Sequence, residues 1–64
     1  MNKDELKNHQ WVTVLDSRDD TIKDCVVISL GERTFKVLYT GSGEFYADFI
    51  YGSERSTGGM FKLL

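Results

Sequence analysis

From residue 22 onward the apolar residues of this chain fall on alternate positions, the two-residue period of strands that bury one face. Ile22, Val26, Ile28 and Leu30 share one parity, as do Phe35, Val37 and Tyr39, and then Phe45, Ala47, Phe49 and Tyr51. Strands are expected at about 22–30, 34–40 and 44–51, joined as an antiparallel meander. Setting Tyr39 against Phe45 places Val37 against Ala47 and Phe35 against Phe49. Gly41-Ser42-Gly43 is then a three-residue loop whose last glycine suits a left-handed bulge position. The same register puts Lys36 opposite Asp48, a pair that apolar alternation alone does not require and that a solvated face would carry. The preceding hairpin turns at Gly31-Glu32-Arg33-Thr34 and sets Leu30 against Phe35 and Ile28 against Val37. A slip of one residue would turn the apolar set to water.

The flanks of this meander are shorter. Asn2 followed by Glu5 reads as a capping box that opens a helical turn through Leu6 to Asn8. Trp11 to Leu15 is a β-branched and aromatic run with Thr13 as its only polar member, which predicts a strand buried on both faces or at a barrel seam. Asp16 to Thr21 is a loop, Gly52 to Gly59 a polar connection, and Met60 to Leu64 a last strand. The expected architecture is mostly β: a small SH3-like, partly open barrel of about five antiparallel strands with a short N-terminal helical turn. In it Trp11–Leu15 and Met60–Leu64 pair at the seam. The strand spacing resembles that of SH3-like and Tudor-like barrels in architecture alone, and such folds host unrelated functions. An open sheet covered by the N-terminal turn is the alternative.

Size narrows what such a barrel can do. The chain has 64 residues, read as a single domain spanning 1–64, and a domain this short buries only about 60% of the surface its unfolded chain exposes. A deep catalytic cleft is not expected, and no enzymatic role is assigned. Cys25 is the sole cysteine, and one histidine beside it does not supply a four-ligand zinc site, so neither a disulfide nor a metal or other cofactor is expected. The charged first ten residues hold no apolar segment of the kind a secretory signal or membrane span needs. The expected setting is cytoplasmic, of a cell or of an infected host. Ten acidic against eight basic residues give a net charge of −2, the wrong sign for a protein that neutralises a row of phosphates.

Few residues carry chemistry. His9 has no nucleophile and orienting carboxylate at a spacing that suggests a catalytic group. Cys25 falls on the outward parity beside Asp24, where negative charge disfavours a thiolate. Asp16, Asp19, Asp20 and Asp24 cluster, but without the glycine and distal glutamate of an EF-hand. They read as a solvated acidic loop, with Asp16, Asp19 and Asp20 as candidates to receive basic side chains of a partner. Gly41-Ser42-Gly43 and Gly58-Gly59 lack the lysine and helix of a phosphate loop and read as turns.

The outward parity is more informative, because the register aligns Val27, Leu38 and Tyr46 across three strands with Ile50 near one end. An apolar stripe of this kind is either covered, by Leu6 or the Met60–Leu64 segment, or a docking site with Tyr46 as its anchor. The function expected is a non-enzymatic protein-interaction module that docks on a larger protein, such as an accessory subunit or a phage-encoded inhibitor of a host enzyme. A small nucleic-acid-binding barrel is one competitor, with Tyr46, Lys23 and Lys36 as its outward candidates. A structural subunit that closes a ring through its edge strands, a homo-oligomer, is the other.

Overall fold

β-branched and aromatic residues dominate the predicted strands at 11–15, 34–40 and 44–51, where they fit a pleated, half-buried surface. The computed structural model describes residues 3–39 and 43–64. Its strands are β1 (Trp11–Asp16), β2 (Thr21–Leu30), β3 (Thr34–Tyr39), β4 (Phe45–Ile50) and β5 (Phe61–Leu63). All pair antiparallel in one sheet of order β4-β3-β2-β1-β5, which curls into a small, partly open barrel. This is the mostly β architecture that the alternation predicts. Among the described residues, helix is reduced to a single 3-10 turn at Lys3–Glu5. The cap assigned to Asn2 lies outside the described residues, as does the Gly41-Ser42 part of the third hairpin loop. No helix among the described residues is long and apolar enough to cross a membrane.

The β3–β4 register is the expected one, running from Tyr39 opposite Phe45 through Lys36 opposite Asp48 to Phe35 opposite Phe49. Leu30 faces Phe35 as expected, and the Gly31 amide donates to the Thr34 carbonyl at 2.9 Å to close that turn. A Cβ on Gly31 would sit 3.0 Å from the same oxygen, so the turn leaves little room for a side chain.

Farther along β2 the expectation fails. Ser29 faces Lys36 but Val27, not Ile28, faces Val37, so Ile28 is an inserted bulge residue. One extra residue reverses the alternation beyond it. Cys25 and Val27 therefore point into the core at 2% and 0% exposure, whereas Ile22, assigned to the inside, stands 66% exposed. Val26 and Ile28 are half-buried and do not belong to the core. Strand β1 also departs from the expectation of burial on both faces. Val12, Val14 and Asp16 are buried, and Trp11, Thr13 and Leu15 alternate with them on the outside.

Strand β5 pairs with β1 as the seam requires, Val14 with Leu63 and Asp16 with Phe61. Inside the curl, Phe35 and Phe49 stack with centroids 5.4 Å apart, packed with Val14, Val27, Val37 and Leu63 in one core cluster. Leu6 joins that cluster, and the amide of His9 and the carbonyl of Gln10 bond the backbone of Val27, so the N-terminal segment plugs the core end. The edges β4 and β5 are brought together by a ring stack of Phe45 on Phe61 at 5.3 Å. Residues 54–57 bridge the remaining gap through Phe49 with Ser56, Arg55 with Lys62, and the Thr57 amide on the Asp48 carbonyl at 2.8 Å.

Two substitutions separate this register from a slipped one. Phe49→Ala should cost about 3–5 kcal/mol, enough to unfold most of a small domain, in urea titration followed by circular dichroism. Val27→Asp should abolish cooperative unfolding while Val26→Asp retains it; the opposite order would mean that β2 lacks the bulge.

Candidate functional site

The outer face of the sheet is built by the residues that alternate with the core. Trp11 lies opposite Val26 on β1 and β2, Val26 opposite Leu38 on β2 and β3, and Leu38 opposite Tyr46 on β3 and β4. Four neighbouring strands thus carry one continuous apolar row. Its ends are the most open: Trp11 is 64% and Tyr46 59% exposed, with Val26 and Leu38 half-buried between them. The Lys36 ammonium sits 5.9 Å from the Tyr46 ring centroid. Ile50, exposed and opposite Thr34, lies on the same face two pairs along, beyond Asp48 and Lys36.

Of the stripe read from the sequence, Leu38, Tyr46 and Ile50 stand on this face. Val27 does not: the bulge at Ile28 turns it into the core and puts Val26 in its place. Trp11 was hidden in the sequence because its run lacks alternation, and only pairing with Val26 shows which side it takes. Neither proposed cover closes over the row: Leu6, Phe61 and Leu63 are buried in the inner core, and Met60 comes beside the Tyr46 end, where both remain exposed.

The acidic residues are arranged differently from the solvated loop expected. Asp16 ends β1 pointing inward, with no exposure to solvent, so it is not a surface contact for a partner. The Arg18 amide and Nε donate to its Oδ1 at 3.0 Å, Arg18 Nη2 donates to Oδ2 at 2.8 Å, and Lys23 Nζ donates to Oδ2 at 2.5 Å. The Arg18 hydrogen bond, with help from Lys23 and against the effect of burial, holds the Asp16 carboxyl well below the usual carboxylate range. The guanidinium carbon of Arg18 lies 5.1 Å from the centroids of both Phe45 and Phe61, and Lys23 Nζ lies 5.1 Å from that of Tyr39.

Asp19 and Asp20 remain at the surface, in the turn between β1 and β2. Asp19 accepts from the Thr21 hydroxyl and from Lys23, which lower its pKa in that order. Asp20 holds a left-handed conformation with φ of 57°, which aspartate tolerates better than most residues. Asp24 is outward, bonded by the Thr13 hydroxyl at 3.3 Å, so the four carboxylates do not converge. Cys25 is buried, contrary to its expected outward position, and burial foremost, then Asp24, pushes its thiol pKa up. His9 is exposed with φ of 68° and is held by its backbone to Val27.

Concave features are slight. One depression of about 180 Å³ lies between Leu15, Arg55 and Phe61, and one of about 190 Å³ between Tyr46, Thr57 and Met60. Ligand sites generally run from about 300 Å³ upward. No family model matches the chain, and no curated protein or solved structure matches it.

The depressed Asp16 carboxyl fixes the sign of a pH effect. Its ionised form stabilises the fold above the ordinary value of 3.8, and that contribution is lost as pH falls toward the lower folded-state value. The melting-temperature gap between the wild type and Asp16→Asn should therefore be widest near neutral pH and narrow below about pH 4. A gap that stays constant from pH 7 to pH 2 would show that the carboxylate charge is not what Asp16 contributes.

Proposed function

We propose that this chain is a non-enzymatic protein-interaction module that binds through the outer face of its sheet. The observation that carries the reading is the Trp11–Val26–Leu38–Tyr46 row, apolar across four strands and most exposed at its two aromatic ends. The inner core is filled without it. Large aromatics that present apolar area at little entropic cost are the usual anchors of protein interfaces. A module of this size suits an accessory subunit or an inhibitor that blocks a larger protein.

The competing readings have less support. Charged residues on the outward strand positions are Lys36 and Lys62 against Asp24 and Asp48, a balance that gives no electrostatic track for phosphates. Ring closure through edge strands meets an obstacle, because residues 54–57 already bond to the outer sides of both β4 and β5.

Tyr46→Ala should weaken a complex by about 2 kcal/mol or more while leaving the free domain folded. Crosslinking mass spectrometry on cells expressing the wild type, Tyr46→Ala and Leu38→Asp checks this. Partners captured equally by all three folded proteins would move the binding surface off this row.

A further inference from the structure

Two cations face each other at the seam: Arg55, in the 54–57 segment, is directly opposite Lys62 on β5. The bonds that flank them run from the Ser56 amide to the Phe61 carbonyl at 2.9 Å and from the Leu63 amide to the Glu54 carbonyl at 2.5 Å. The pair itself exchanges none. That is the narrow kind of antiparallel pair, with Cβ atoms about 4.5–5.5 Å apart, and like charges placed there repel. Both residues are exposed, and among the described residues no carboxylate lies within ion-pairing distance of either. Other cations of the sheet are better placed: Arg18 and Lys23 hold Asp16, Lys23 also holds Asp19, and Lys36 lies opposite Asp48.

Both cations line the depression of about 180 Å³ whose apolar wall includes Leu15 and Phe61. It is too small to enclose a whole small-molecule ligand, and it has room for one side chain. We infer that this depression takes an acidic side chain of the partner protein, with its carboxylate between Arg55 and Lys62 and its methylenes on Leu15. The inference rests on the protein-interaction reading above, because the ligand is a partner's side chain.

Charge and position select that ligand. Two cations on a chain of net charge −2 do not supply the row of contacts that a nucleic-acid backbone needs, whereas one carboxylate needs a single clamp. A guanidinium fork binds it through two hydrogen bonds and an ammonium adds a point charge. The apolar wall favours a carboxylate carried on hydrocarbon over a free, hydrated anion. Ile22, opposite Leu15 and 66% exposed, extends the apolar contact beside the clamp. Leu15 also shares the outward side of β1 with Trp11, four residues and about 13 Å away. Both stand on one strand, so the curl of the sheet does not separate them, and a partner seated on Trp11 can reach the basic pair.

Amide-detected NMR of the isotope-labelled chain, titrated with acetyl-Leu-Glu-Leu amide, with its Gln counterpart and with inorganic phosphate, tests the inference. The Glu peptide should shift the amides of Leu15, Arg55 and Lys62 saturably, less tightly as salt rises, and the Gln peptide should bind about tenfold or more weakly. Arg55→Gln and Lys62→Gln should each stay folded and lose about tenfold or more of the Glu-peptide affinity. Lys62→Glu should melt above the wild type while losing the peptide, because it turns a repelling pair into an attracting one. Equal shifts from the Glu and Gln peptides overturn the inference, as does a Lys62→Glu protein that melts below the wild type. Saturation by phosphate without saturation by the Glu peptide would make this a site for a free anion and overturn the assignment to a partner. Crosslinks lost in Tyr46→Ala but kept in an Arg55→Gln, Lys62→Gln double variant would sink the inference and leave the interaction reading standing. Glu-peptide binding at this site, with crosslinks lost only in the double variant, would support the clamp and move the binding surface off the Tyr46 end of the row.

Discussion

A carboxylate removed from water must find its charge and hydrogen-bond partners inside the protein, and Asp16 imposes that demand on one end of this barrel. Its two oxygens are met by the fork and the backbone amide of Arg18 and by the ammonium of Lys23. Both cations then lie over rings: Arg18 over Phe45 and Phe61, Lys23 over Tyr39. Phe45 belongs to one edge strand and Phe61 to the other, so the requirement of a single buried charge also positions the contact that curls the sheet. The same carboxylate accepts from the Arg18 amide and shapes the turn that starts β2.

The bulge at Ile28 is the second constraint, and it determines which face each half of β2 presents. Leu30 faces Phe35 inside, and farther along Val27 and Cys25 do the same, because the extra residue absorbs the change of phase. Bulges also bend and twist the strand that carries them. In a ten-residue strand whose first half pairs with β1 and whose second half pairs with β3, that bend suits a sheet wrapping a small core. With the inner positions filled by these residues, Val26 is left on the outside between Trp11 and Leu38.

The sequence made parts of this legible for definite reasons. In β3 and β4 each apolar residue alternates with a polar or outward one, so a single register satisfies both the core and the Lys36–Asp48 pair. In β2, Cys25, Val26, Val27 and Ile28 are apolar in succession; both parities look buried, and nothing local marks the inserted residue. Trp11 to Leu15 is ambiguous for the same reason, and its side was set only by pairing with β2 and β5. From the sequence Asp16 looks like loop, because strands seldom end on a buried acid, and the partners that make its burial tolerable are two and seven residues further on. Thus the outer stripe was visible as a stripe, while Val26 and Trp11, half of its members, were not.

β-propensity alone does not explain that stripe. Elsewhere on the outer face the same backbone positions carry polar pairs, Thr13 with Asp24, Ser29 with Lys36 and Lys36 with Asp48. Water-compatible side chains are therefore accommodated by this sheet without loss of pairing. Leu15 and Ile22 form a second apolar pair, but it is two residues wide and flanked by Lys62, the size of patch that isolated surface hydrophobes commonly make. The four-strand row is larger, centred on the sheet and bounded by aromatics. An apolar row at positions where the fold accepts polar residues is not required by the sheet's own pairing, and burial against another protein surface is the role proposed for it.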